Sequence, residues 1–346
     1  MDELTIKDIA RKCGVGISTV SRAINNHPDI SPETRKMVME VIKETGFIPN
    51  NSARNLKRVD AKCIAVLIKG ITNPFFGPAI QIIEKQAQKK KYALVIQHVD
   101  AYGNELEVAL HLVKEKRLRG IIFLGGSYQH DPVQIAKLKV PFVFCTIGKV
   151  KDTEEKVYSN IAVDDRAESC KMTNYLLDLG HKRIAIITEG TGAESVGQLR
   201  LEGYKDALTA RGIEIDEKLI YEVKDVEDPY SMESGYALAK KLLDSGVDFT
   251  AVFAIADFLA VGACRALHEA GKRIPEDVSV AGYDGLDIGE YYTPQLTTIR
   301  QPMEAMAERT ALLLLDIIDG KSKHEYISFP AELVERESTA KPGNQD

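Results

Sequence analysis

The sequence LTIKDIARKCGVGISTVSRAINN, which runs from Leu4 to Asn26, predicts two short helices joined by a tight glycine turn. Thr5 can cap the first helix, whose third position carries Asp8, and apolar residues recur at helical spacing as far as about Cys13. The glycines of Gly14–Gly16 then break this helix, and a second amphipathic helix follows. Two short helices joined in this way form a helix-turn-helix.

A third helix is expected after this pair. Ser31 can serve as its cap, Pro32 occupies its first helical position, and Gly46 ends it. Its predicted inner face consists of Met37, Val38, Val41 and Ile42. Three such helices can bury one small core, so residues 1–48 are expected to form a three-helix head.

The second helix of the head carries side chains suited to reading DNA bases. If this helix lay in the major groove, Arg22 could form a bidentate pair with guanine and Ile17 could touch a thymine methyl group. Ser18 could bond to more than one kind of base edge. Short polar side chains in the head suit phosphate oxygens, namely Thr5, Thr19, Ser21 and Asn25. The alternative is a chance pair of short helices with a solvated Arg22.

The next segment, PNNSARNLKR at positions 49–58, argues against that alternative. It has one leucine among small and basic residues, which is a poor composition for a core. A minor-groove wedge needs a protruding apolar side chain flanked by cations that meet phosphate. We therefore expect a helix-capable linker at 49–60 that inserts into the minor groove of DNA through Ala53, Arg54, Leu56 and Lys57. An ordinary polar linker is the other reading.

The head and the rest of the chain differ in net charge. Residues 1–60 contain 10 Lys and Arg against 8 Asp and Glu, a net of +2, whereas the remaining residues contain 35 against 43, a net of −8. An acidic body keeps nonspecific affinity for nucleic acid low and leaves DNA binding to the head. Because one head with a charge of +2 would bind weakly, two heads on one dimer are expected.

The amino terminus and the cysteines indicate a reducing compartment. The sequence opens with polar residues rather than with a secretion signal, and no apolar run approaches the length of a membrane span. The five cysteines are scattered and form no CxxC pair. We expect a cytoplasmic protein with no membrane contact, no structural metal and no cofactor.

After residue 60 the pattern changes to alternating strands and helices. Apolar runs typical of buried parallel strands lie at 63–69, 92–98, 120–125 and 141–147, with helical segments near 76–90, 104–117 and 131–139. After about Asn160 strands recur at 183–188, 218–223, 251–255 and 278–282, with helices near 166–179, 198–211, 232–245 and 257–271. A helix near 302–319 and a strand near 326–329 follow. This alternation predicts two doubly wound α/β units with parallel sheets.

The motifs TIKDIA, VSRAIN, TRKMV, GFIPN and ARNLK are specific in combination, and in them the chain resembles the LacI/GalR family of bacterial transcription regulators. The resemblance runs from about Thr5 to Ser338. It implies that the three base-reading candidates occupy the family's base-reading positions, and that Leu56 belongs to a hinge helix that orders on operator DNA. One departure is Gly16, which stands where the family usually has a capping serine.

The resemblance also implies that residues 61–346 form a periplasmic-binding-protein-like body with a ligand cleft between two lobes. The chain would cross between the lobes near 160, 290 and 322. The first lobe would then comprise about 61–160 plus 291–321, and the second about 161–290 plus 322–340. A homodimer that binds palindromic double-stranded operator DNA, usually as a repressor, and responds to a sugar-like small-molecule effector is the expected assembly. The fold class is α/β, with a helix-turn-helix head, a hinge helix and two doubly wound lobes.

Candidate effector residues follow strands, because ligands of open α/β sheets bind beyond the carboxyl ends of the strands. Asn73, Phe75 and Phe76 follow the first strand; one ring can pack inward while the other stacks on a sugar or heterocycle, or both can be core. Arg200 matches the family's effector-binding arginine, and its planar fork suits paired hydroxyls or a carboxylate. Asp284 can accept hydrogen bonds from sugar hydroxyls.

Other positions near strand ends have two possible roles each, or depart from the family's usual residue. Thr146 stands where many family members carry aspartate, and Ala256 stands where one member has an inducer-contacting asparagine, so a different ligand is expected. Asp164 and Asp257 could bind effector or cap helices, and Asp257 suits capping better. Lys69 could serve an anionic ligand such as a sugar phosphate, or could be an exposed strand end.

Two rival classes of protein have the same kind of body. An α/β enzyme would be expected to show a P-loop, GxGxxG, GxSxG or HExxH motif, and none occurs. The seven histidines are too dispersed to suggest a ligand set. A transport receptor would have two lobes but a signal sequence and no DNA-binding head. Residues 1–58 argue against both classes.

Overall fold

A computed structural model describes the protein at residues 4–24, 27–45, 47, 62–70, 72–100, 103–128, 130–148, 157–189, 195–223 and 228–343. The chain divides into two compact units, Met1–Ala61 and Lys62–Asp346. The first unit contains the head, and the second, the body, contains the alternating strands and helices. Within the described ranges, no helix combines the length and the apolar character needed to cross a bilayer.

Three helices form the head, as the sequence predicts: α1 at Ile6–Cys13, α2 at Ile17–Ile24 and α3 at Pro32–Thr45. Their buried core consists of Ile9, Ala10, Val20, Ala23, Val38 and Phe47. The expectation that Met37 faces inward is wrong: its side chain is exposed, and its neighbour Val38 is the residue of α3 that the core buries.

Local hydrogen bonds explain where the first two helices begin. The Asp8 carboxylate accepts from the hydroxyl (2.6 Å) and the backbone N–H (3.0 Å) of Thr5, which is the capping interaction expected for α1. Gly14 turns the chain with a φ of 63°. The Gly16 carbonyl then accepts from the N–H of Thr19 at 2.9 Å, so α2 begins after a residue with no side chain to cap it.

The body consists of two six-stranded sheets. The strands, in chain order, are β1 Cys63–Lys69, β2 Ala93–Val99, β3 Gly120–Leu124, β4 Phe142–Cys145, β5 Ser159–Val163, β6 Ile184–Glu189, β7 Ile220–Val223, β8 Ala251–Ala254, β9 Ser279–Asp284, β10 Thr297–Arg300, β11 Tyr326–Phe329 and β12 Glu332–Val334. The first sheet has the order β11-β5-β4-β3-β1-β2 and is parallel throughout. The second has the order β12-β10-β9-β8-β6-β7, and only β12 in it is antiparallel.

Helices cover both sheets. They are α4 Gly77–Lys89, α5 Glu105–Lys116, α6 Pro132–Lys137, α7 Asp165–Asp178, α8 Val196–Ala210, α9 Met232–Asp244, α10 Asp257–Glu269, α11 Ile288–Tyr291 and α12 Met303–Ile318. The central strands β1, β3, β4 and β8 are buried almost throughout, which explains their continuous apolar runs. The fold class is therefore the expected one, with two doubly wound lobes.

The chain crosses between the lobes three times, but two expected boundaries are displaced. β10 lies in the range expected for the first lobe, but it pairs with β9 in the second sheet. β11 lies in the range expected for the second lobe, but it pairs with β5 in the first sheet. The chain therefore crosses after β5, between β10 and α12, and between β11 and β12. Short strands such as TTIR, whose buried residues include threonines, lack the apolar run that would reveal them in sequence.

Candidate functional site

The exposed side of α2 presents the three base-reading candidates. Val20 and Ala23 turn into the head core, which leaves Ile17, Ser18 and Arg22 exposed. Ile17 is 45% exposed, which is unusual for a large apolar side chain beside a core. An exposed apolar residue five positions before an exposed arginine is the combination needed to contact a thymine methyl group and a guanine.

The phosphate candidates differ in their surroundings. The Thr5 hydroxyl is exposed but already bonded to Asp8, and these bonds hold the pKa of the Asp8 carboxyl below its usual value. Thr19 and Ser21 are half-buried on α2. Asn25 and the wedge residues Ala53, Arg54, Leu56 and Lys57 lie outside the described residues, so their roles stay predictions.

A cleft of about 1260 Å³ lies between the two lobes of the body. The carboxyl ends of strands from both sheets face it, as expected for an open α/β fold. It is lined by six of the eight effector candidates: Asn73, Phe75, Phe76, Thr146, Arg200 and Asp284. The structure thus brings together residues that lie more than 200 positions apart in the sequence.

The aromatic wall of the cleft follows β1. Asn73 begins a 3-10 turn at Pro74–Phe76, and its side-chain oxygen accepts from the Phe75 N–H at 3.0 Å. The rings of Phe75 and Phe76 lie 5.5 Å apart at an interplanar angle of 56°, and each residue is only 6% exposed. The expectation that one ring stands free is therefore not met: both rings are packed in the core, although both residues line the cleft.

Thr146 also lines the first-lobe side of the cleft. Its hydroxyl accepts from the Gly125 N–H at 3.2 Å, and its backbone has a φ of 73°. These features tie together the carboxyl ends of β3 and β4. Thr146 therefore has a structural role in this wall of the cleft, in addition to the hydroxyl that it could offer to a ligand.

Arg200 is the central cation of the cleft, and the protein holds it from several sides. Its Nε donates to Asp165 Oδ1 at 2.8 Å and its Nη1 donates to the Ile255 carbonyl at 2.6 Å. The guanidinium carbon lies 3.7 Å from the centre of the Tyr283 ring. Burial alone would lower the pKa of Arg200, but the neighbouring carboxylates outweigh it and raise that pKa. Arg200 lines the cleft, and no hydrogen bond joins its Nη2 to a described residue.

Asp284 lies beside this arginine at the end of β9. Its Oδ1 is 3.5 Å from Arg200 Nη1 and accepts from Gln301 Nε2 at 2.9 Å. Burial raises the pKa of Asp284 to about 7, although the charge of Arg200 opposes the rise. The carboxyl group therefore titrates near neutral pH and can accept from hydroxyl groups in its charged form.

A second acceptor in the cleft was missed from the sequence. Glu189 ends β6, and its Oε2 accepts from the hydroxyls of Ser195 (2.5 Å) and Tyr230 (2.7 Å); all three residues line the cleft. The signal for Glu189 was available, because it follows an apolar strand just as Asp284 does. No comparable sequence signal marks Tyr230.

Lys69 is not the free cation that an anionic ligand would need. Its ammonium donates to Glu105 Oε2 and to the Gly103 carbonyl, both at 3.0 Å. Burial would raise the pKa of Glu105, but His130, Lys69 and the Ser127 N–H together lower it to about 2. The carboxylate is therefore ionised and neutralises the lysine.

The other two effector candidates, Asp164 and Asp257, do not line the cleft. Asp164 is exposed and caps α7, where its Oδ1 accepts from the Ala167 N–H at 3.0 Å. Asp257 is fully buried and accepts from the Thr298 hydroxyl and the Leu286 N–H, both at 2.6 Å. It does not cap α10 either, because it is the first helical residue and points at β10 instead.

Comparison with known proteins agrees with this architecture. Residues 5–50 match the family model "Bacterial regulatory proteins, lacI family", and residues 173–339 match "Periplasmic binding protein-like domain". The HTH-type transcriptional regulator MalR of Clostridium butyricum is 39% identical, over 97% of this chain and 99% of that protein.

Two solved structures are similar over nearly the whole chain. The transcriptional regulator CelR in complex with cellobiose is 31% identical, with a TM-score of 0.70 over 97% of this chain and 99% of its own. The lac repressor dimer bound to operator and the anti-inducer ONPF is 27% identical, with a TM-score of 0.74 over 98% of this chain and 100% of its own.

Proposed function

Because the chain belongs to the LacI family of bacterial regulatory proteins and is a DNA-binding transcriptional regulator rather than an enzyme, we propose that it represses transcription as a homodimer. The relatives support this proposal, since the lac repressor structure is a dimer on operator DNA. A two-fold symmetric protein reads a pseudo-palindromic operator, with one head in each half-site. Such a regulator acts in the cytoplasm, where the chromosome is.

The cleft residues support a sugar-like effector. The Arg200 guanidinium offers donors, and the carboxylates of Glu189 and Asp284 offer acceptors, at a site that Phe75 and Phe76 also line. Hydroxyl groups on an apolar ring match this mixture of polar and aromatic contacts. The single observation that carries the proposal is the convergence of Arg200 and Asp284 on one cleft, 3.5 Å apart.

The charges of the cleft favour an uncharged effector. Among the described residues that line it, the two long cations Lys69 and Arg200 are already paired with Glu105 and Asp165. Carboxylates of Asp100, Glu189, Asp228, Glu233 and Asp284 line the same space. A sugar phosphate or sugar acid would meet a predominantly negative wall, so a neutral sugar or glycoside is the better fit.

In the proposed switch, effector binding changes the relative arrangement of the two lobes of the body. An effector that contacts Phe76 in the first lobe and Arg200 in the second binds one arrangement of the lobes better than others. This preference shifts the lobe equilibrium, and the hinge residues around Leu56 then gain or lose the ability to pair on DNA. Leu56→Ala should weaken operator binding at matched salt, and equal affinity would contradict the wedge.

A binding screen tests the effector site. Neutral monosaccharides and disaccharides are screened by thermal shift, and hits are measured by calorimetry. Arg200→Lys keeps a positive charge beside Asp165 but loses the planar fork, and should weaken binding about 10- to 100-fold. Arg211→Lys, an exposed arginine of the same lobe that pairs with Asp178, is the matched control and should leave binding unchanged. Equal affinities for the parent and Arg200→Lys would refute the assignment.

A further inference from the structure

The amino ends of the first-lobe strands form an edge of the sheet opposite the cleft, and this edge is rich in cations. Seven exposed side chains around β2, β1 and β3 define what we call the basic rim: Lys62, Lys90, Lys91, Lys116, Arg117, Arg119 and Lys321. The body as a whole has a net charge of −8 from residue 61 onward. The rim is therefore a local reversal of the charge of the body.

Backbone pairing makes the rim continuous. The Ala93 N–H donates to the Lys62 carbonyl at 2.8 Å, and the Arg119 N–H donates to the Cys63 carbonyl at 2.7 Å. The starts of β2, β1 and β3 thus lie side by side, at the usual strand spacing of about 4.8 Å. The Lys62 ammonium also lies 5.3 Å from the centre of the Tyr92 ring, so it is held at this edge.

The protein neutralises the charge of the rim only in part. A hydrogen bond from Lys321 and the charges of Lys321, Lys62 and Lys90 all lower the pKa of one carboxyl, that of Asp319. Lys116 pairs with Glu115, and Lys321 pairs with Asp319 at 2.8 Å. Among the described residues, Lys90, Lys91 and Arg117 form no ion pair. At the corresponding edge of the second lobe the arginines are paired with carboxylates, in Arg183–Asp216, Arg211–Asp178 and Arg273–Asp277, whereas the exposed lysines Lys182 and Lys272 have no ion pair with a described residue.

The backbone shows that two of these cations occupy unfavourable positions. Lys91 and Arg117 follow α4 and α5 with φ values of 59° and 52°, in the left-handed region that favours glycine. The other five long helices of the body are each followed by a left-handed glycine: Gly180, Gly212, Gly246, Gly271 and Gly320. Both exceptions, Lys91 and Arg117, lie in the basic rim. Stability alone would favour glycine at these two positions, as it does after the other five helices.

We propose that the basic rim binds the phosphate backbone of duplex DNA beyond the bases that the heads read. The proposal rests on the DNA-binding function proposed above. Long exposed cations in a row, with no enclosed pocket, suit an extended polyanion better than a single phosphate group. The rim also begins at Lys62, the first residue of the body, so the chain enters the body at this edge.

The test measures how DNA affinity depends on salt. The full-length parent and the double variant Lys91→Gly/Arg117→Gly are titrated with mixed-sequence duplexes of about 20 and about 60 base pairs at several salt concentrations. Each cation that contacts a phosphate contributes about 0.9 to the slope of log K against log salt. The variant should lower the slope on the longer duplex by about 1 to 2 and bind it more weakly. Its thermal midpoint should be unchanged or higher, because glycine relieves the left-handed strain.

Two control variants complete the design. Lys182→Gln/Lys272→Gln removes the same charge from exposed second-lobe turns and should leave the slope unchanged. Lys91→Arg/Arg117→Lys keeps the charge and should keep the slope. A Lys91→Gly/Arg117→Gly variant with the parent's slope on the longer duplex would overturn the rim proposal, as would an equal loss in the second-lobe control. A parent that binds neither duplex at any salt concentration would also overturn the rim proposal, whereas the proposed repressor function is judged separately, by binding to the selected operator.

Discussion

Nη1 of Arg200 lies 3.5 Å from Oδ1 of Asp284, and both side chains are at most 5% exposed. Asp165 and the ring of Tyr283 hold the same guanidinium from other directions. The donor group is therefore fixed before a ligand arrives, and binding need not order it. An effector hydroxyl that bridges the two side chains would complete a network that the protein has already built.

The titration of Asp284 predicts a pH-dependent effector affinity. Its pKa is raised to about 7, and its charged form is the better acceptor for a hydroxyl group. The affinity for a neutral sugar should therefore rise between pH 6 and pH 8, by up to about tenfold. Calorimetry across this range measures the change. Asp284→Asn should bind more weakly and without this pH dependence, and a variant that keeps the parent's pH profile would assign the titration to another group.

Asp257 predicts a pH-dependent stability, and it is coupled to the effector site because burial and the charge of Asp257 both raise the pKa of Asp284. Burial raises its pKa to about 7, far above the value of an unfolded aspartate. The folded protein therefore favours the protonated form of Asp257. The contribution of this form to the free energy of unfolding is fully present below about pH 4 and is lost as the pH rises through 7. Between pH 5 and pH 8 the free energy of unfolding of the parent should fall by on the order of 2 kcal/mol relative to that of Asp257→Asn.

Denaturant unfolding at each pH measures this difference. Asp164→Asn, which alters an exposed helix cap, serves as the control and should follow the parent. Parallel pH profiles for the parent and Asp257→Asn would show that Asp257 is not the group responsible.

The pair of Lys69 and Glu105 should act as one structural unit. Glu105→Gln leaves the half-buried ammonium without its counterion, so it should reduce the free energy of unfolding by about 1–3 kcal/mol. The double variant Lys69→Met/Glu105→Gln should recover part of that loss, because it removes the uncompensated charge. Denaturant unfolding of the two single variants and the double variant gives the coupling energy. Strictly additive losses would mean that the ion pair contributes nothing.

Much of this organisation can be predicted from the sequence. The features that cannot be predicted have one physical cause in common, which is that they depend on tertiary neighbours. The head helices, the buried strands and the cleft position of Arg200 are visible because apolar spacing and strand ends are local signals. The pairing of Lys69 with Glu105 depends on which strands are neighbours, as does the placement of β10 in the second sheet. Tertiary neighbours also decide the direction of the Asp257 side chain, which comes at a strand end as Asp284 does but bonds to Thr298 of β10 instead of lining the cleft.

Arg22 should determine sequence preference in the head. A bidentate arginine–guanine pair provides about 1–3 kcal/mol of discrimination, so Arg22→Ala should weaken operator binding by roughly 10- to 100-fold. Its affinity for mixed-sequence DNA should change much less. The operator is first obtained by selection from a random duplex library, and affinities are measured by fluorescence anisotropy. Arg35→Ala, at an exposed position of α3, is the matched control. Equal losses of specific and nonspecific affinity would place Arg22 on phosphate instead.

The coupling between the cleft and the DNA is the central claim, and a thermodynamic cycle tests it most directly. The operator affinity of the parent is measured without and with a saturating neutral sugar from the binding screen, and the sugar affinity is measured without and with operator. The proposed switch predicts that the two ratios agree and differ from one by about fivefold or more, and that at the same sugar concentration Arg200→Lys shows a smaller response. An operator affinity that is the same with and without bound sugar would contradict it.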